Sequence, residues 1–200
     1  MRHKRLARTF FNRPTLTVAK ELLGKFLIRK IGRKTIAAII TETEAYCGPN
    51  DLASHASRGM TKRTEVMFGT PGHAYIYLIY GMYHCFNIVT ERDGYPAAVL
   101  IRGVKLATNL NDPARLNFGI SANGAKAEGI SQNLGGPGKL CRYFQINKLL
   151  NNEDLTMSKK LWLEDRGVKI KPDQIKRSSR IGVDYAGPYK DKQWRFMLDL

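Results

Sequence analysis

Apolar residues recur at helical spacing at Leu16, Ala19, Leu22 and Leu23, after a Pro14 suited to a helix start and before Gly24, so residues 15–23 predict a short helix. The pattern then turns β-like. Runs at 26–28 and 36–40 flank Gly32 and predict a hairpin. Further strand signals lie at 75–80, 85–90 and 98–104, each bounded by Gly or Pro, and later at 161–163 and 168–170. No βαβ alternation and no internal repeat appears. The pattern predicts one α+β domain over residues 1–200, with a largely antiparallel, curved β-sheet, flanking helices and a protruding β-hairpin. Residues 107–138 are poor in bulky apolar side chains and read as surface loops with one or two short helices. The Gly135-Gly136-Pro137-Gly138 run leads into a helix, whose first amides either face a phosphate or simply mark a helix entry.

Composition narrows the partner. The 200 residues are 43% hydrophobic, enough for one core without disulfide or metal staples. Lys and Arg number 33 against 17 acids, a net charge of +16 that calls for a polyanion such as nucleic acid or an anionic membrane surface. The basic N-terminus is not followed by the apolar stretch of a signal peptide, because Asn12, Arg13 and Pro14 interrupt it. The Tyr-rich segment 75–89 is shorter than the roughly 18 residues of a membrane helix. Cys47, Cys85 and Cys141 form no C-x-x-C, and His3, His55, His73 and His84 show no ligand spacing. The expectation is a soluble, cytoplasmic, monomeric protein with no metal and no cofactor, bound to nucleic acid rather than membrane.

Two constellations could carry chemistry. Strand alternation over residues 40–46 places Ile40, Glu42, Glu44 and Tyr46 on one face, so two acids and an aromatic share a surface of a very basic chain. Acids near a bound polyanion repel it unless they have a task, although a glutamate on a solvated face more often only pairs with Lys or Arg. The second is HAYIYLIYGMYHCFN. Tyr75 and Tyr77 share a strand face and could wall a base pocket, whereas Tyr80 sits where two strands turn and could enter a base stack as a wedge. Tyrosines are also ordinary strand residues. Asn87 and Arg102 lie inside apolar runs and need partners there, and His55 alone reads most simply as a hydrogen-bonded structural residue.

Taken together, FFNRPTLTVAKELLGKFLIRK, TETEAYCGPNDLASHAS, MFGTPGHAYIYLIYGMYHCFNIV, VLIRGV and GGPGKLCRYFQI resemble the alkyladenine (3-methyladenine) DNA glycosylase family. The likeness extends from Phe10 to the Arg180-Ile181-Gly182-Val183 and Trp194-Arg195-Phe196 segments, and fades over 91–98 and 107–135. It implies a monofunctional enzyme of base excision repair that flips a damaged purine (3-methyladenine, 7-methylguanine, hypoxanthine or ethenoadenine) out of double-stranded DNA and hydrolyses its N-glycosidic bond. The same resemblance implies that Glu44 activates the water with Arg102 beside it, that Tyr46, His55, Tyr77 and Asn87 form the base pocket, and that Tyr80 fills the gap in the duplex. Glu42 gains no catalytic role from it. Composition alone admits two other readings: a non-catalytic nucleic-acid-binding protein, in which Glu44 has no task, and an RNA-modifying or formyltransferase-like domain.

Overall fold

A computed structural model describes residues 3–107 and 130–198. Among the described residues ten strands, all paired antiparallel, form one sheet. They are β1 (Lys4–Arg5), β2 (Phe26–Ile31), β3 (Lys34–Cys47), β4 (Ala74–Ile79), β5 (Tyr83–Val89), β6 (Ala97–Ala107), β7 (Ile130–Gly135), β8 (Leu161–Asp165), β9 (Ile175–Ser178) and β10 (Arg195–Leu198). The main path runs β1-β8-β2-β3-β6-β5-β4. β3 is shared along its length: its first half pairs with β2, residues 42–44 pair with β10 on the same edge, and β6 occupies the other edge. The expected Gly32 hairpin is present, with Ile31 opposite Lys34 and Gly32 at φ 58°, where a side chain would be strained.

Among the described residues the α-helices are α1 (Arg8–Phe11), α2 (Thr15–Glu21) and α3 (Pro137–Tyr143), joined by several single turns of 3-10 helix. Val18 and Ala19 of α2 and Leu140 and Cys141 of α3 are buried in one cluster with Ile40, Ala45, Phe86, Ile88, Ile101 and Val104. Thr43, on the same side, donates its hydroxyl to the Ala19 carbonyl at 2.8 Å and so ties β3 to α2. One face of the central strands is thereby committed to the core. The ionisable Glu42 and Glu44 of β3 face the opposite way.

The β3–β6 register contains two irregularities that decide which residues face each way. Ile40 pairs with Val104, Glu42 with Gly103 and Thr43 with Ile101, which leaves Thr41 and Arg102 without a partner across the ladder. Each is an extra residue that reverses side-chain parity locally. Ile40 therefore belongs to the core with Thr43 and Ala45, not to the face of Glu42 and Glu44 that unbroken alternation predicts. Gly103 permits the close approach, since a Cβ there would lie 3.0 Å from the Glu42 Cβ.

Other expectations are corrected. Residues 168–170 form no strand; their apolar alternation packs Val168 and Ile170 against Gly24. Residues 130–135, read as loop, form β7 against β6. The helices expected within 107–138 lie outside the described residues for 108–129, while α3 follows the Gly-rich run as predicted. β1, β9, β10 and α1 were not foreseen.

Candidate active site

On the face opposite the helices, register brings residues from four strands together. Glu44 pairs with Leu100, Tyr46 with Ala98, Asn87 with Leu100, Tyr75 with Asn87 and Tyr77 with Cys85, and paired residues share a face. They border a cleft of about 330 Å³ lined by Tyr46, His55, Tyr75, Tyr77, Asn87 and Arg102, with Tyr80 at its edge and Ile181 and Tyr185 on the far side. That is ample for a nucleobase.

Glu44 lies beneath this cleft with no solvent exposure. Its Oε1 accepts the Ile181 N–H at 2.9 Å and its Oε2 accepts the Tyr46 hydroxyl at 2.9 Å. A carboxylate oxygen has two lone pairs, so each keeps one for a further donor. Burial pushes the Glu44 carboxyl above its ordinary value, with the Glu42 charge acting in the same sense; Arg102, the Ile181 amide and the Tyr46 hydroxyl pull it back. A raised value suits a base, provided the acid still ionises near neutrality. The Tyr46 phenol, pushed well up by burial and by the Glu44 charge, keeps its proton and remains a donor.

Glu42 has the structural role expected for it. Its Oε1 receives Arg102 Nε at 3.0 Å and Arg195 Nε at 2.7 Å, so it anchors two cations. Arg102 Nε lies farther from Glu44, at 3.6 Å. The bulge thus directs Arg102 to the cleft side, held by Glu42 and adjacent to Glu44.

The aromatic walls are tied to each other. His55 Nδ1 is 3.0 Å from the Tyr75 hydroxyl, and its ring meets Tyr77 edge-on at 4.5 Å between centroids. Burial, then the charges of Arg63 and Arg58, lower the His55 pKa to about 4, so the imidazole is neutral at physiological pH. Asn87, buried, donates Nδ2 to the Tyr75 carbonyl at 3.1 Å. Tyr80 stands apart at the β4–β5 tip, 87% exposed, with φ 50°.

Sequence reasoning missed a second layer. The Arg180 guanidinium grips Asp51 through two bonds of 2.6 and 2.9 Å, both side chains being fully buried. It also donates to the carbonyls of Ala45 (2.9 Å) and Tyr189 (3.1 Å) and lies over the rings of Tyr46 and Trp194. Nothing local marks a pair separated by 129 positions. Among the described residues no group of three or more His, Cys, Asp or Glu could hold a metal, and no helix is long and apolar enough to cross a membrane.

A cleft of aromatic walls with a buried carboxylate below it, in a chain of +16 charge, defines the equipment of a base-releasing enzyme. The family model for methylpurine-DNA glycosylase (MPG) matches residues 9–199, and the chain belongs to that family: it is a DNA glycosylase, a hydrolase of N-glycosyl bonds acting in DNA repair. It is similar to proteins of Methanocella arvoryzae (49% identical, 96% of this chain and 90% of the relative), Wolbachia pipientis subsp. Culex pipiens (48%, 96% and 88%) and Desulfitobacterium hafniense (44%, 98% and 96%). Each is named "Putative 3-methyladenine DNA glycosylase".

Proposed function

We propose that this chain acts as one monomeric glycosylase domain that extrudes a damaged purine from double-stranded DNA into the aromatic cleft and hydrolyses its bond to deoxyribose with a water activated by Glu44. The observation that carries this reading is the buried Glu44, held by Ile181 and Tyr46 directly under a cleft of nucleobase size. The purine leaves with the electron pair of the C1′–N bond, the water oxygen bonds to C1′, and its proton passes to Glu44; a cationic alkylated purine thereby departs neutral, and a neutral purine departs as its anion and takes up a proton from solvent. As the bond breaks the sugar acquires positive charge, which the Glu44 carboxylate stabilises in a site of low polarity. Arg102, fixed by Glu42, orients the water from the other side.

Tyr46 faces the extruded base from one side, with Tyr77 and His55 opposite. Alkylated bases such as 3-methyladenine and 7-methylguanine carry positive charge, which weakens their glycosidic bond and attracts them to tyrosine rings by about 0.5–2 kcal/mol. A neutral His55 avoids repelling them. Neutral hypoxanthine and ethenoadenine depend more on hydrogen bonds from pocket groups such as Asn87. Tyr80 occupies the vacated place in the stack, and a weakened base pair lowers the cost of flipping.

The test is Glu44→Gln, which keeps shape and removes basicity. Single-turnover release of hypoxanthine or 7-methylguanine from a duplex should fall about 10²- to 10⁴-fold with lesion binding retained. Release at the wild-type rate would make Glu44 a structural carboxylate and Glu42 the next candidate for the base.

A further inference from the structure

The Arg180–Asp51 pair has no role in the chemistry just described, and full burial of two charges is seldom a source of net stability. Its placement supplies another reason. Arg180 precedes Ile181, whose N–H meets Glu44 Oε1 at 2.9 Å. Its guanidinium is bound to the carbonyl of Ala45, the residue between Glu44 and Tyr46. Its carbon lies 4.9 Å from the centre of the Tyr46 ring, and the fully buried guanidinium is absent from the cleft lining, so it backs that wall from behind. Arg180 Nε has no hydrogen-bond partner among the described residues, so the guanidinium keeps its four other contacts at the cost of one orphaned buried donor. Residues 179–183 are in neither helix nor strand, so side-chain bonds must hold Ile181 over the carboxylate.

We propose that Arg180, locked by Asp51, is a positioning residue for the base Glu44: it fixes the Ile181 amide on one carboxylate oxygen and the Tyr46 ring and hydroxyl on the other. The inference rests on reading Glu44 as the base. With the clamp loosened, the Ile181 bond lengthens and Glu44 loses a donor to its charged form. The other groups facing the carboxylate are Tyr46 and Glu42 on β3, Arg102 on β6, Cys85 on β5 and Arg195 on β10, and none of them replaces that donor. Because that amide holds the Glu44 value down, its loss raises it, and the acidic limb of the rate profile moves to higher pH.

The experiment measures single-turnover release of 7-methylguanine from a duplex between pH 4.5 and 8.5, together with duplex affinity. It compares the wild type with Arg180→Lys, which keeps charge but cannot make the fork of bonds, and with Ile181→Pro, which deletes the amide proton itself at an exposed position. The folded fraction is measured by circular dichroism at each pH and divided out of the rate, so acid unfolding of a weakened variant is separated from a displaced limb. Expected are a rate about tenfold or more lower at pH 6, a limb displaced upward in both variants, and affinity within about threefold of wild type. Should Arg180→Lys fail to fold, Asp51→Asn, which unlocks the guanidinium and leaves it in place, gives the same readout, and Ile181→Pro shows separately what the amide contributes. Variants that keep the wild-type limb would overturn the positioning role while leaving Glu44 as the base. A wild type that releases no purine would overturn the reading of the site, and this inference with it.

Discussion

Replacing Tyr80 with glycine should make the protein more stable and less able to open a duplex. Tyr80 is held at φ 50° in the β4–β5 turn, next to Gly81 at φ 67°, and is 87% exposed. The left-handed conformation costs a residue with a side chain about 1–2 kcal/mol. Glycine avoids that cost but surrenders about 0.5–1 kcal/mol in unfolded-chain entropy. The net expectation for Tyr80→Gly is a gain of a few tenths to about 1 kcal/mol, or a rise in Tm of about 1–4 °C for a chain of this size. Tyr80→Ala keeps the strained backbone and should gain nothing. Both lose the ring, whose stacking against bases is worth about 1–3 kcal/mol. Release of a stably paired lesion should therefore slow by about 5- to 150-fold in either variant, and release from single-stranded DNA much less. Thermal unfolding and single-turnover release from paired and unpaired substrates measure the two effects separately. A Tyr80→Gly protein that is less stable than wild type, or that releases paired hypoxanthine at the wild-type rate, refutes the argument.

Other consequences are open to direct measurement. Binding to duplex DNA should weaken steeply from low to moderate salt, because the cations displace condensed counterions; a flat titration would mean that the +16 charge faces another partner. Among the described residues no lysine lines the cleft, so borohydride should trap no protein–DNA adduct, and a trapped adduct would show an amine nucleophile instead of water. Any limb of the purine-release profile between pH 6 and 7 should stay in place in His55→Gln, because burial and the charges of Arg63 and Arg58 hold the His55 value at about 4; a limb there that moves with this substitution would contradict the assignment. Burial alone would raise the Asp165 carboxyl, but Lys25 at 2.7 Å and the Gly167 amide hold it below its ordinary range. That depressed value contributes stability above about pH 4, lost as pH falls through the folded value, so Lys25→Met should destabilise at pH 7 by an amount that shrinks as the pH is lowered below 4.

Much of the framework was legible because its signals are local. The Gly32 hairpin, β4 and β5 around Tyr80-Gly81, and the helix entry at Pro137 are each set by a turn residue and a short apolar run. Glu44 and Tyr46 could be placed on one strand face, and Tyr75 and Tyr77 on a face of another strand, for the same reason. What escaped depends on partners far along the chain. β10 is four residues long and is a strand only because β3 and β9 bond to it. Asp51 and Arg180 look like ordinary surface charges until the chain closes and buries both. Residues 168–170 misled in the opposite direction, since side chains that pack against a glycine can alternate as regularly as those in a ladder.

The two unpaired residues at Thr41 and Arg102 constrain how this sheet can change over time. Ile40 pairs with Val104 and Thr43 with Ile101, so the inserted residue in one strand is cancelled by the inserted residue in the other. Deleting Thr41 alone would restore plain alternation in β3, with Ala38 and Ile40 still in the core and Glu42 and Glu44 still on the cleft side, and would leave a single bulge at Arg102. Deleting Arg102 alone would do the same in β6. A one-residue insertion elsewhere in either strand would instead turn every following side chain to the other face, so these two positions are where the sheet can take up an extra residue, Arg102 of the site among them, without repacking its core.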